Sequence, residues 1–190
     1  YAKASERATE VEQELHRYDD RLGVLRRTGL LFQATWAHFG HGNTAAALRT
    51  GHRMLGQAGI DQHPELHGLG RILLLMVLLE SNDREGALQV LRNTERQLRT
   101  RKRVFRFEQA MLDHAHQCLR NKEEKTDHRA IRDLLATLAH DPMERAVFDH
   151  FDPWTWAESR ATGRTMAEVA AANPTGPLKS EGPTRGREAA

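Results

Sequence analysis

The stretch GLGRILLLMVLLESNDREGALQVLRNTERQLRT, Gly68 to Thr100, decides the fold. Its first half sets Leu69, Ile72, Leu73, Leu74, Leu75, Met76, Val77, Leu78 and Leu79 around a helix whose face is apolar almost all the way round. A helix apolar on every side must be covered on every side, so it sits between neighbours rather than on a surface. Glu80-Ser-Asn-Asp83 is a polar break, after which Ala87, Leu88, Val90, Leu91 and Leu98 mark a second, amphipathic helix. The stretch therefore predicts a helical hairpin stacked between others.

Working outward, the same spacing recurs in both directions. Ala2, Ala4, Ala8, Val11, Leu15 and Tyr18 form one helical stripe over residues 2–18, which Asp19-Asp20 closes while offering carboxylates to cap the next helix. Leu22, Leu25, Leu30, Ala34 and Ala37, widened by Leu31 and Phe32, predict a helix that Gly40-His-Gly-Asn43 ends. Its partner runs from Thr44 to Leu55, where Gly51 would let two backbones approach closely. A loop from Gly56 leads to Pro64, a residue suited to the first turn of a helix. Towards the C-terminus, Val104, Phe107, Met111, Ala115 and Cys118 share one face, and a polar turn over residues 121–126 separates them from Ala130, Ile131, Leu134, Leu135 and Leu138. Asp141-Pro142 and Asp152-Pro153 introduce helices over Met143–Phe151 and Trp154–Ala161, and a last one spans Thr165–Ala172. Residues 173–190 are nearly empty of apolar groups and are expected to form a disordered tail.

A small-then-aliphatic pair follows each of three turns: Ala47-Leu48 after Gly42-Asn43, Ala87-Leu88 after Asn82-Asp83, and Ala130-Ile131 after Lys125-Thr126. The alanines step by 40 and 43 residues, a period that means helix pairs stacked on their neighbours. With Asn82-Asp-Arg-Glu-Gly-Ala-Leu88 its clearest instance, this pattern resembles the tetratricopeptide repeat over roughly residues 22–140. The resemblance implies an all-α fold of antiparallel helix pairs stacked as a short TPR-like α-solenoid, with repeat units at about 22–57, 64–100 and 104–140 and capping helices over 143–172, all within a domain of residues 1–172. Phe151-Asp-Pro-Trp-Thr-Trp156-Ala-Glu-Ser159 with Met166-Ala-Glu-Val169 is similar to the closing segment of certain bacterial tetratricopeptide-like proteins. On that likeness Trp154 and Trp156 cover the end of the solenoid.

Composition narrows the function. Charged residues are 28% and hydrophobic ones 39%, as in a helical protein with one apolar stripe per helix. A formal charge of +2 is too near neutral to argue for a nucleic acid or a membrane by bulk electrostatics. The longest apolar run, Ile72 to Leu79, falls well short of the roughly 20 residues of a spanning helix. A single cysteine, Cys118, excludes an internal disulfide framework and fits a reducing compartment, so the chain reads as a cytoplasmic protein. It opens on Tyr1 rather than methionine, and reads as part of something longer.

Candidate chemistry is sparse. Eleven histidines invite a metal, but Pro64 separates His63 from His67, His114 and His116 point to different sides of a helix, and no His-Glu-x-x-His arrangement occurs. The histidines are read as surface and interface groups, with no cofactor expected. Cys118 sits among Met111 and Ala115, with His114 one turn away, in the place of a small buried hydrophobe rather than of an exposed thiolate. Gly40-His-Gly42 has no strand before it and is no phosphate cradle.

Two functions follow from this reading. The first is a protein–protein interaction or scaffolding module without catalysis, gripping a protein or peptide in the groove between first helices, with His38, Arg71 and His114 as groove-side polar groups. The second uses the basic run Arg99-Thr-Arg-Lys-Arg-Val-Phe-Arg-Phe107 in a nucleic-acid-responsive regulator, with Arg101, Arg103 and Arg106 on phosphates and the interleaved Phe side chains on bases.

Overall fold

A computed structural model describes residues 1–18, 21–120 and 126–173. Three expectations lie outside the described residues: the capping role of Asp19-Asp20, the turn over 121–125 and the disordered tail from residue 174. Among the described residues the chain forms ten α-helices and no strand: α1 (Ala2–Arg17), α2 (Val24–Gly40), α3 (Thr44–Leu55), α4 (Pro64–Glu80), α5 (Arg84–Thr100), α6 (Arg106–Arg120), α7 (Arg129–Ala139), α8 (Arg145–Phe148), α9 (Pro153–Thr162) and α10 (Met166–Ala172). None of them is long and apolar enough to cross a membrane.

Helix α4 is the centre of the packing. Ile72, Leu73, Leu74, Leu75, Met76, Val77 and Leu78 are all buried, because α2, α3, α5 and α6 each lie against a different side of it. Small residues admit the neighbours so closely. A Cβ on Gly70 would stand 2.8 Å from Met54 Cε, and one on Gly51 would stand 3.1 Å from Leu74 Cδ1, so α3 and α4 meet backbone against side chain at both points.

The two turns that open α3 and α5 are the same structure. At each, the second residue after the helix end takes a left-handed conformation, Gly42 at φ 82° and Asn82 at φ 56°. The following N–H reaches back to a carbonyl five residues earlier, Asn43 to His38 at 2.9 Å and Asp83 to Leu78 at 3.1 Å. That same residue then caps the next helix: Asn43 Oδ1 accepts from the Ala46 N–H and Asp83 Oδ1 from the Gly86 N–H. Ala47 and Ala87, four residues on, are both 0% exposed. The expected third member of this series departs from it. Helix α7 starts at Arg129 with His128 before it, so Ala130 falls in the first turn and is exposed, and Ile131 alone reaches the core.

The expected helix over Met143–Phe151 is also corrected, to the single turn of α8. The preceding residues are held elsewhere, by the start of α6. Buried Glu144 accepts the Arg106 and Phe107 N–H groups at 3.0 Å each, capping α6 from 37 residues away, while Arg103 Nη2 donates to the Met143 carbonyl. The chain then lays Phe148 and Phe151 across the row of α2 and α6, where Phe151 meets Phe32, Trp36 and Phe107 edge-on at 5.3, 5.2 and 5.8 Å. Trp156 on α9 is buried and donates its Nε1 proton to Glu80 Oε1 at 2.9 Å, and Trp154 is partly buried against the same core.

Because Phe151 joins α2 to α6 through three ring contacts, Phe151→Ala is expected to cost about 3–5 kcal/mol in urea unfolding. A loss below about 1 kcal/mol would show that the two helices hold together without it.

Candidate functional site

Three buried polar clusters and one open apolar cleft are the places where chemistry or binding can reside. In the first cluster, His38 Nε2 lies 2.8 Å from Glu12 Oε1 and its Nδ1 lies 2.8 Å from Ser5 Oγ. A carboxylate can only accept, so Nε2 carries the proton and donates to Glu12, while Nδ1 pairs with the Ser5 hydroxyl. The Thr50 hydroxyl donates to the same Glu12 oxygen at 2.9 Å. Carboxylate, imidazole and hydroxyl stand in the order an acyl-transfer enzyme uses. Ser5 is buried, however, and takes no part in lining the adjacent cavity, which Glu12, His38, Asn43 and Arg49 border. The arrangement ties α1, α2 and α3 together.

The second cluster joins α4, α5 and the segment before α6. Arg71 Nε donates to His67 Nε2 at 3.1 Å, so the His67 proton is on Nδ1, which the Gln97 amide faces at 3.2 Å. The Gln97 oxygen is assigned to that proton, which also gives Oε1 the partner it otherwise lacks among the described residues. Burial and the Arg71 charge hold the His67 pKa below the usual value, consistent with a neutral ring. Beside it, Arg101 Nη1 lies 2.5 Å from Glu108 Oε1, with side chains 7% and 0% exposed. Glu108 also accepts the Phe105 N–H at 3.0 Å. Gly68 makes room for the pair: a Cβ there would stand 2.6 Å from Glu108 Oε1 and 2.7 Å from Arg101 Nη1.

The third cluster lies between α6, α7 and α9. His114 Nε2 and His128 Nδ1 are 3.0 Å apart, and both rings meet Trp156 edge-on. Burial, reinforced by each ring's cationic or imidazole neighbour, pushes both histidines down to about 4. Cys118 Sγ is 3.5 Å from His114 Nε2, but burial pushes the thiol up. A neutral histidine beside a protonated, half-buried thiol is no activated nucleophile. A cavity of about 370 Å³ opens next to them, bordered by Glu80, Arg84, Cys118, His128, Trp156 and Arg160. No group of three or more His, Cys, Asp or Glu side chains among the described residues converges as a metal site.

The apolar cleft, of about 620 Å³, runs between α2, the start of α4 and α8. Leu25, Phe32, Leu66, Leu69, Phe105 and Val147 give it an apolar lining, and Gln33, Gln62, His63, Glu65 and His150 border it. Leu25 is 53% exposed at its edge.

The six residues picked out in the sequence do not form one surface. His38 bonds into α1, Arg71 donates to His67 on its own helix and borders a cavity with Gln97 of α5, and His114 meets His128 and Trp156, so the three have different neighbours. The basic run is likewise broken up. Arg101 turns inward onto Glu108, Arg106 pairs with Asp141 at 3.3 Å, and Arg103 lies 4.5 Å over the Phe105 ring. Phe105 and Phe107 are buried and offer no face to a base. What does come together is Arg71 with Arg101 and Arg103, which border one cavity of about 550 Å³ with Lys102, His67 and Gln97. The sequence reading missed Glu108 and Glu144. Glu108 carried a signal, a glutamate at the third position of a helix, whereas the reach of Glu144 to α6 depends on how the chain returns. No protein-family model, no curated protein and no solved structure matches this chain.

The histidine pair makes stability depend on pH. In the unfolded chain both rings take up protons near pH 6.5, while in the fold they stay neutral down to about pH 4, so stability is full above pH 6.5 and falls as pH drops between these values. The share of His114 is at most about 3 kcal/mol. In urea unfolding, wild type is expected to lose stability relative to His114→Phe as the pH falls from 6.5 to 4.5. Parallel curves for the two proteins would exclude His114 as a cause.

Proposed function

We propose that this chain is a non-catalytic binding module of the TPR-like helical-repeat type, which seats a protein or peptide segment by its apolar side chains in the cleft beside Leu25. The cleft is the observation that carries the reading: an apolar lining of Leu25, Phe32, Leu66, Leu69, Phe105 and Val147, left open to solvent within a polar border. The stacked-repeat part of the reading is supported by the duplicated turns at Gly42-Asn43 and Asn82-Asp83 and by the contacts of α2 with α4 and of α4 with α6. First helices touch one another in this way when helix pairs stack.

The position of the cleft follows from what covers the rest of that side. Phe148 and Phe151 already occupy the surface across α2 and α6, so a partner meets the remaining portion, near the starts of α2 and α4. The anchors it offers are side chains, since a cleft of this size takes two or three apolar groups and not a whole helix. Burying those groups is worth about 1.5–3 kcal/mol each, enough to select a sequence while leaving a reversible complex. The free thiol of Cys118 suits a reducing, cytoplasmic setting.

Panning a random peptide library against the chain is expected to enrich sequences with two or more apolar anchors, retained at raised salt. Their affinity is expected to fall about tenfold in Leu25→Glu, a change at an exposed position that leaves the fold intact. No enrichment, or equal affinity in the variant, would overturn the assignment.

A further inference from the structure

We propose that the cavity bordered by Arg71, Arg101, Lys102 and Arg103 is an anion site for a phosphate monoester. The site shares Pro64 and Glu65 with the rim of the apolar cleft but does not require the cleft to be filled. It is built from the first two turns of α4, the last turn of α5 and the segment that follows, and encloses about 550 Å³.

Three observations converge on it. Arg71 is half-buried, and its single hydrogen bond to a described residue goes to neutral His67 rather than to a carboxylate. Burial and the approach of Arg96 both act against its charge, which is the condition of a guanidinium awaiting a counter-ion. Arg101, whose side chain is 7% exposed, spends Nη1 on Glu108 and borders the cavity beside Lys102 and Arg103. Lastly, α4 begins here without a side-chain cap: His63 makes no capping bond, and Pro64 and Glu65 of the first turn border the cavity. A long helix that starts uncapped presents free N–H groups and the positive end of its dipole to whatever binds there.

The charge balance selects the ligand. Four cations border the cavity against Asp61 and Glu65, and Glu108 cancels Arg101 from behind. Arg96 restores an excess at Arg71, so the site suits a dianion better than a carboxylate or a single diester. Guanidinium forks match the tetrahedral oxygens of such a group. Repeating diesters are disfavoured by the two carboxylates at the border and by the burial of Phe105 and Phe107, which leaves no ring to stack a base. The monoester can come from a small metabolite or from a phosphorylated side chain.

The test is calorimetric titration of the whole chain at low ionic strength with inorganic phosphate, glycerol phosphate, a phosphoserine peptide and a single-stranded oligonucleotide. Phosphate and at least one monoester are expected to bind, and the tighter monoester names the carrier. Arg71→Gln is expected to weaken them at least tenfold, Arg71→Lys by less, and Arg7→Gln, at an exposed arginine elsewhere, not at all. Arg101 is left intact, because its loss would strand Glu108, and circular dichroism checks that each variant is folded. Failure of every monoester to bind, equal binding by Arg71→Gln, or binding of the oligonucleotide alone would overturn the site.

Discussion

The requirement that α4 be covered on all sides governs the rest of this structure. A helix carrying Ile72 to Leu78 without a polar face cannot lie on a surface, and the chain meets that requirement with four different helices rather than one large partner. Close packing of four neighbours around one rod works only where side chains give way to backbone, hence Gly51, Gly68 and Gly70 at the contacts. At Gly68 the space is taken by ions instead of methyl groups. The Arg101–Glu108 pair is buried, and a buried pair adds little stability in itself, but breaking it strands a charge at a cost of about 3–5 kcal/mol. It therefore fixes where the segment before α6 must pass, and with it the walls of the basic cavity.

Coverage of α4 also explains why the chain doubles back after α7. The helices stacked through α6 leave an apolar row made by α2, α4 and α6, and the Phe148–Phe151 segment closes part of it with rings packed edge to face. Glu144 makes that return specific, since its buried carboxylate would be left unpaired without the free N–H groups at the start of α6. A short turn here serves better than the long helix that the spacing of residues 143–151 predicts. The segment stops short of the starts of α2 and α4, and the cleft beside Leu25 is what it leaves.

The parts legible in the sequence were those with local causes. The α4–α5 hairpin and the α2–α3 turn were readable because apolar period, turn residue and cap all lie within a few positions, and the equivalence of Gly42-Asn43 with Asn82-Asp83 is carried by backbone geometry that Gly and Asn alone adopt readily. The third alanine, Ala130, matched the same pattern by spacing while lying in a different turn of its helix, because composition does not reveal where α7 begins. Interface histidines were foreseeable as a class, but not their partners. Ser5, Glu12 and Thr50 meet His38 across three helices, and nothing near residue 38 indicates which side of α2 will face α1. The basic run is broken up for the same reason: nine residues, Arg99 to Phe107, are contiguous in sequence, yet an acid seven positions downstream of Arg101 drew it inside.

On the two proposed readings, recognition is organised around the start of α4. Pro64 and Glu65 border both the apolar cleft and the basic cavity, so the two features share one rigid edge. Proline fixes the first turn of that helix, and the buried rod behind it holds the edge in place, so neither side needs a loop to close before it can bind. The polar groups facing the two sides differ in kind. Gln33, Gln62, His63 and His150 surround the cleft with neutral groups that tolerate many apolar neighbours, whereas Arg71, Lys102 and Arg103 demand a charge. One helix start thus separates an apolar cleft from a basic cavity, and on the proposed readings the affinity of either depends on how firmly α4 is enclosed.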